Sequence, residues 1–180
     1  MARRVDKFAD FLARTEPKNI GPTLNVKIPI STGPRTIRVS NQLAYWGSSR
    51  SAPVGFKVPS FKGINTGNHG KAENLLEKLK PRGLPSRMGN IFVAEDPNNV
   101  LMGSSFGGRA NIYKVKVDGV VFKANLENYT ELVVDFTKGN YTEEQISYWA
   151  KEYWKGIDSS TSKDLIEWIV DGTVEVIEEI

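Results

Sequence analysis

The stretch that decides the fold is DLIEWIVDGTVEVI, residues 164–177, near the end of the chain. Read as an extended strand, it alternates its side chains between two faces. Glu167 shares one face with Leu165 and Ile169, and the opposite face carries only the apolar Ile166, Trp168 and Val170. The pattern predicts a strand that is apolar on both faces and interrupted by one carboxylate. Glu167 is either an ordinary charge at a sheet edge or a group held in place for chemistry.

Length and composition are those of one globular domain. The chain has 180 residues, of which 39% are hydrophobic and 25% charged. Cysteine is absent and His69 is the one histidine, which excludes thiolate and histidine-rich metal sites and Cys–His catalysis. No apolar run reaches the roughly 20 residues of a membrane span, and the N-terminus lacks the apolar core of a signal peptide. We expect a cytoplasmic protein with no metal and no membrane partner.

Charge is distributed unevenly along the chain. Residues 125–180 carry 13 acidic and 4 basic side chains, whereas residues 1–124 carry 8 acidic and 20 basic ones. Two explanations remain open. The two parts complement each other electrostatically when folded, or a basic face attracts a phosphate-bearing ligand such as a dinucleotide or a nucleic acid.

The first third of the chain predicts a helix, a hairpin and a buried strand. VDKFADFLART has the spacing of an amphipathic helix. TLNVKIPIS and TIRVS alternate on either side of a TGPR turn, as in a β-hairpin. LAYWG follows as a strand and leads into a loop rich in Ser, Gly, Pro and Lys. We interpret residues 1–40 as an N-terminal extension and residues 41–180 as the main domain.

The middle of the chain predicts short helices and strands in a mixed order. KAENLLEKLK predicts a helix ended by Pro81 and Gly83, and NIFVAE predicts a strand. DPNNVLMGSSF predicts a short helix with Asp96 as its N-cap. ANIYKVKVDGVVFKA predicts two strands joined by a turn at residues 118–119.

A fourth helix is predicted in the last part of the chain. YTEEQISYWAKEYW begins with a capping box from Thr142 to Gln145 and has an inward face of Ile146, Trp149, Ala150 and Tyr153. The final two strands are predicted to meet at an Asp-Gly turn at residues 171–172. Because strands and helices do not alternate regularly, the order predicts an α+β fold.

Familiar catalytic motifs are absent from the sequence. It contains no Walker loop, no GxGxxG and no GxSxG elbow. Four other segments resemble, in order, motifs of the ADP-ribosyltransferase superfamily: LAYWGSS, NLLEKLKPRGLPSRMGNIFVAEDPNNV, IYKVKVDGVVF and IEWIVDGTVEVI. Within that superfamily the chain is similar to its compact members, which are DNA-targeting ADP-ribosyltransferase toxins, anti-CRISPR ADP-ribosyltransferases and RNA 2′-phosphotransferases. The resemblance covers residues 43–177 and implies a split β-sheet core with a few short helices.

The resemblance places Glu167 on the catalytic glutamate of the family. Breaking the bond between nicotinamide and ribose develops positive charge on the ribose. A carboxylate on a rigid strand can bind a ribose hydroxyl and stabilise that charge.

The resemblance also implies a set of NAD-binding residues on the first motif. Gly47 would let the backbone approach the nicotinamide closely, and Ser48 stands where the family has Thr or Ser. Tyr45 and Ser49 flank them. Trp46 is a departure, because the family has a His or Arg there that contacts the adenosine ribose. Tryptophan can stack or donate one hydrogen bond, but it does not replace a phosphate-binding arginine.

Three further residues around the second motif are assigned to the same site. Phe92 corresponds to the aromatic residue that packs under the nicotinamide, and Asn90 lies beside it. Arg87 is our preferred ligand for the pyrophosphate or for a phosphate-bearing target; the other candidates for that role are Arg50, Arg82 and Arg109. The loop of residues 50–70 combines aromatic and basic side chains that suit a lid over NAD or a grip on nucleic acid.

The implied function is NAD-dependent mono-ADP-ribosyl transfer to a protein or nucleic-acid acceptor. NAD is the co-substrate and no metal is required. Two alternatives remain open. One is an enzyme similar to RNA 2′-phosphotransferases, and the other is a non-catalytic binding module on the same fold, which the departure at Trp46 favours.

Overall fold

The computed structural model describes residues 35–60, 70–99 and 111–180. Within these ranges the chain forms five β-strands, three α-helices and a short 3₁₀ turn. The strands are β1 (Thr36–Ser48), β2 (Lys57–Pro59), β3 (Ile91–Ala94), β4 (Asn111–Asn125) and β5 (Ile166–Glu179). The helices are α1 (Gly70–Leu79), α2 (Leu126–Lys138) and α3 (Glu143–Lys155), and the 3₁₀ turn (Lys163–Leu165) leads into β5. The predicted α+β class is confirmed.

All described strands belong to one antiparallel sheet. Its order is β2-β5-β3-β1-β4, and β4 also pairs with β5. The strands β1, β3, β5 and β4 therefore close a ring of hydrogen-bonded neighbours. Such closure leaves fewer free strand edges than an open sheet does.

Two predicted hairpin turns are wrong, because β4 and β5 each run straight through their Asp-Gly dipeptide. Gly119 of β4 lies directly opposite Gly172 of β5. A Cβ atom on Gly172 would lie 2.1 Å from the carbonyl oxygen of Asp118, and one on Gly119 would lie 2.5 Å from that of Asp171. Glycine is required here because two backbones approach closely, not because the chain turns.

The aspartate of the first dipeptide has a separate role. β1 contains an irregularity between Val39 and Gln42, where Asn41 adopts a φ of 53°. The Asp118 carboxylate accepts hydrogen bonds from the Asn41 backbone N–H (2.9 Å) and the Ser40 hydroxyl (2.8 Å). These bonds lower the pKa of Asp118, with the Asn41 N–H as the larger cause. Asp118 of β4 therefore anchors the β-bulge of β1. In sequence, this aspartate and the glycine after it resemble a hairpin turn.

Buried side chains form two cores on opposite faces of the sheet. The core on one face, which we call the strand core, is formed mainly by side chains of the strands and includes Ile166, Trp168 and Val170. The helix core lies where α1, α2 and α3 cover the other face, and it includes Ile169. β5 is thus buried on both faces, as its sequence predicts, and Glu167 is fully buried on the helix side with 0% of its surface exposed.

The predicted helices α1 and α3 are confirmed where they are described. The hydroxyl of Thr142 accepts a hydrogen bond of 3.1 Å from the backbone N–H of Gln145, as the capping sequence predicts. The sequence patterns do not predict α2. Asn125 nevertheless caps its start, and Gly139 ends it in the left-handed conformation. Its first residues directly continue β4, so no loop marks the change from strand to helix.

Several predictions fall at the margins of the described ranges. TIRVS and LAYWG belong to the single strand β1, which spans the boundary expected at residue 40 and has its β-bulge there. The first predicted helix and the partner strand of the hairpin lie outside the described residues. Most of the helix predicted from Asp96 also lies outside the described residues. Its described part is a turn in which the Asn99 N–H donates to the Asp96 carbonyl.

Ion pairs within the described ranges join the basic and acidic parts of the chain. Lys57 pairs with Glu175 at 3.5 Å and Lys114 with Glu178 at 3.9 Å, while Arg87 pairs with Glu167. These contacts favour the explanation that the two parts complement each other electrostatically. None of the described helices is long and apolar enough to cross a membrane.

We predict that Gly172→Ala lowers the free energy of unfolding by about 3 kcal/mol, because the new methyl group must displace the Asp118 carbonyl. Urea denaturation measures the loss. Gly70→Ala is the matched control, since a Cβ there meets nothing within 4 Å; it should stay within about 0.5 kcal/mol of the wild type. Equal stabilities of the two variants would contradict the close approach of the β4 and β5 backbones at Gly172.

Candidate functional site around Glu167

Strand pairing places Glu167 in a row of side chains that crosses four strands. Glu167 lies opposite Ala94 of β3 on one side and Ala124 of β4 on the other, and Ala94 lies opposite Tyr45 of β1. Directly paired residues in an antiparallel sheet point to the same face. Tyr45 and Glu167 therefore share a face and are separated by two strand spacings, about 10 Å.

The two carboxylate oxygens of Glu167 have different environments. Oε1 accepts a hydrogen bond of 2.5 Å from the hydroxyl of Tyr153 and a second bond from Nη1 of Arg87. Oε2 is buried and has no hydrogen-bond partner among the described residues. An unpaired buried carboxylate oxygen is costly and calls for an explanation. A carboxylate held by one oxygen can accept a donor from a ligand at the other.

Arg87 connects Glu167 to a second buried carboxylate. Its Nε donates to Oε2 of Glu73 at 2.8 Å, and Nη1 also bonds with the Tyr153 hydroxyl. Oε1 of Glu73 accepts the hydroxyl of Tyr129 at 2.8 Å. These five residues (Glu73, Arg87, Tyr129, Tyr153 and Glu167) form a buried network, which we call the Arg87 network.

Aromatic rings enclose the guanidinium of Arg87. Its carbon lies 4.2 Å from the ring centre of Tyr129, 4.6 Å from that of Phe92 and 5.1 Å from that of Tyr153. Cation–π contacts of this kind stabilise a guanidinium, most strongly where water is excluded. Only 6% of Arg87 is exposed, so the cation is held by carboxylates and rings instead of solvent.

Charge in the Arg87 network is tightly constrained. Burial alone would lower the pKa of Arg87, but the carboxylate of Glu167, aided by that of Glu73, raises it well above its ordinary value. Burial and the neighbouring carboxylates raise the pKa of Tyr153 and of Tyr129, so both phenols stay neutral. The network pairs two carboxyl groups with one guanidinium. That composition suits a site where positive charge develops on a ligand.

The residues predicted on the first motif do not share one face of β1. Trp46 packs against the strand core, with its ring centre 5.8 Å from that of Tyr113. Tyr45 points to the opposite face, which carries Glu167. Gly47 is buried and Ser48 ends the strand, where its hydroxyl accepts from the Arg50 N–H at 3.1 Å. Ser49 is exposed in the loop that follows.

The residues predicted on the second motif are only partly brought together. Phe92 and Arg87 are in contact, but Arg87 is bonded to carboxylates and does not face outward as a phosphate ligand would. Asn90 donates to the carbonyl of Ser86 at 2.6 Å, and its Oδ1 is buried without a partner among the described residues. Asn90 precedes β3 at the end of that strand distant from Ala94, so it lies a strand length away from Glu167.

The alternative basic candidates are exposed or undescribed. Arg50 and Arg82 are exposed. Arg109 and His69 lie outside the described residues, as do residues 61–69 of the basic loop. Among the described residues, no group of three or more His, Cys, Asp or Glu side chains could hold a metal ion.

Sequence reasoning missed three members of the Arg87 network. Tyr153 has the spacing of a core residue on α3, and nothing in its helical pattern distinguishes a packing ring from a hydrogen-bonding one. Glu73 carries a weak signal, because it lies on the inward side of α1 between Ala72 and Leu76, where a charged residue is unexpected. Tyr129 belongs to the unpredicted helix α2.

We predict that Arg87→Met lowers the free energy of unfolding by about 3–5 kcal/mol, because it leaves two buried carboxylates without a cation. Lys123→Met is the matched control, since its ion pair with Glu95 is partly exposed and should be worth about 1 kcal/mol or less. Urea denaturation at neutral pH compares them. Equal losses would contradict a buried, energetically important Arg87.

We predict that Tyr129 and Tyr153 resist ionisation in the folded protein. Their raised pKa values mean that the folded state keeps these protons at a pH where the unfolded chain releases them, with a pKa near 10. Stability from this source is complete below about pH 10 and is lost as the pH rises further. Absorbance at 295 nm should show that at least two of the six tyrosines titrate only on unfolding. Titration of all six before unfolding would contradict the network.

Comparison with known proteins identifies a family for this chain. No curated protein matches it. Residues 72–180, more than half of the chain, match the model of a family described as a protein of unknown function (DUF2441). The matched range contains every member of the Arg87 network. The chain therefore belongs to the DUF2441 family.

Proposed function

We propose that the protein is an NAD-dependent mono-ADP-ribosyltransferase with an ADP-ribosyltransferase-like split-sheet core, in which Glu167 is the catalytic carboxylate. The observation that carries the proposal is the state of Glu167. It is fully buried on a central strand, one oxygen is held by two donors, and the other oxygen is unpartnered among the described residues. The acceptor is a protein or a nucleic acid.

The chemistry follows from that geometry. NAD supplies an ADP-ribosyl group whose bond to the cationic nicotinamide is already activated. Oε2 of Glu167 would accept a hydroxyl of the nicotinamide ribose and stabilise the positive charge that develops on the ring as the bond to nicotinamide breaks. The acceptor then forms a bond to the same ribose carbon and gives up its proton. Glu167 is buried, so a neighbouring side chain must move for this contact to form.

The composition of the Arg87 network supports this assignment. Two carboxyl groups share one guanidinium inside a water-poor region. Electrostatic interactions are stronger in such a region than in water. A cationic centre beside Oε2 would therefore be stabilised, whereas an anionic group such as a phosphate would be repelled.

The same argument weighs against the RNA 2′-phosphotransferase alternative. That activity demands several basic side chains directed at phosphates, and Arg87, the basic residue nearest Glu167 in the described structure, is already bonded to two carboxylates.

The binding-module alternative retains one specific support. Trp46 stands where the ADP-ribosyltransferase superfamily, which the sequence resembles, has a ribose-contacting residue, and its ring packs against the strand core. Tyr45 is the side chain that shares the face of Glu167. Under the enzymatic proposal, Tyr45 is the β1 side chain that contacts the dinucleotide.

We predict that Glu167→Gln abolishes both ADP-ribosyl transfer and NAD hydrolysis, because the amide keeps the size and one acceptor oxygen but loses the negative charge. Incubation of a cell lysate with labelled NAD, followed by mass spectrometry, measures transfer and identifies the acceptor class. Retained activity in this variant would overturn the catalytic assignment.

A matched control separates charge from packing. Tyr113 is fully buried in the strand core and its hydroxyl accepts only the Ala52 N–H among the described contacts, at 2.9 Å. Tyr113→Phe should therefore remove one buried hydrogen bond and leave NAD turnover unchanged. A melting temperature of the wild type that does not rise at millimolar NAD, together with no turnover, would favour the binding-module alternative.

A further inference from the structure

We propose that Glu73 of α1 is a positioning residue, which acts through Arg87 to hold Glu167 in the orientation that leaves Oε2 available to the ribose. This inference rests on the proposed function. It adds a residue that no sequence motif identifies. The Glu73 carboxylate bonds to Arg87, and Arg87 in turn bonds to Glu167 of β5.

The contacts of Glu73 support the role. Both of its oxygens are occupied, Oε2 by Nε of Arg87 and Oε1 by the hydroxyl of Tyr129, each at 2.8 Å. Glu73 is 8% exposed although it is charged, and buried carboxylates of this kind are retained only when their bonds are made. Glu73 therefore fixes one edge of the Arg87 guanidinium.

The planar guanidinium transmits this constraint to Glu167. Nε and Nη1 belong to one rigid group, so a bond at Nε restricts the direction in which Nη1 donates. Nη1 donates to Oε1 of Glu167, and the Tyr153 hydroxyl donates to the same oxygen. Two donors on Oε1 turn the carboxylate so that Oε2 alone is left for a ligand. The aromatic rings of Phe92 and Tyr129 prevent the guanidinium from leaving this plane.

The expected kinetic signature is specific to positioning. Glu73 does not touch the ligand in this scheme, so its loss should lower kcat by a larger factor than it raises KM. A misplaced Glu167 should slow the chemical step, because a displacement of about 1 Å can cost about 100-fold in rate.

The test compares Glu73→Gln with Glu77→Gln. Glu77 lies one helical turn further along α1, and its carboxylate accepts the hydroxyl of Ser86 at 2.8 Å and not the guanidinium of Arg87. For NAD hydrolysis we expect Glu73→Gln to lower kcat by about 10- to 100-fold, with a smaller change in KM. Glu77→Gln should match the wild type. Equal kcat values for the two variants would overturn the inference, while the proposed function would stand.

A double variant tests whether the effect passes through Arg87. Arg87→Lys keeps the charge but loses the planar fork, so it should lower kcat on its own. If Glu73 acts through Arg87, adding Glu73→Gln to Arg87→Lys should lower kcat no further. Fully multiplied losses would show independent actions and overturn the inference.

Failure of the proposed function gives a different result. A wild-type protein with no NAD turnover and no NAD binding would reject the proposed function, and crystal structures would then decide the positioning role. In Glu73→Gln we expect Oε2 of Glu167 to be displaced by about 0.5 Å or more relative to the wild type. An unmoved carboxylate would overturn the inference in that case.

Discussion

The packing of the three helices against the sheet depends on one constraint, the buried guanidinium of Arg87. Removing such a cation from water is costly, and the cost is offset only when carboxylates and hydrogen bonds surround it. Glu73 and Glu167 supply the charge, and Tyr129 and Tyr153 supply hydroxyls. Because these residues come from α1, α2, α3 and β5, satisfying one cation fixes the relative positions of four elements.

A second constraint acts on the sheet. β4 and β5 pair over almost their whole length because Gly119 and Gly172 let the two backbones approach. Continuous pairing makes β5 long enough to contribute to both cores and to present Glu167 at its start. The ring of β1, β3, β5 and β4 then places Tyr45 on the same face as Glu167, although the two residues are more than 100 positions apart in the chain.

How much could be predicted depended on whether a feature is local. Burial of β5 on both faces and the position of Glu167 on an apolar face follow from period-two alternation, and both were predicted correctly. The Asp-Gly dipeptides led to a wrong prediction, because the same residue types suit a hairpin turn and a close approach of two paired backbones. Only the identity of the partner strand distinguishes the two cases. α2 went unpredicted because it continues directly from β4, with no break in composition at Asn125.

By itself, the sequence determined that this chain is a mixed α+β domain with one carboxylate inside the otherwise apolar run of residues 165–170, and that catalysis by cysteine or by histidine pairs is excluded. Only the tertiary structure decided that Arg87 is shared by Glu73 and Glu167, and that Tyr45, not Trp46, shares the face of Glu167. The reason is physical. Alternation and capping act between near neighbours in the chain, whereas the pairing of a buried charge depends on which distant elements pack against it.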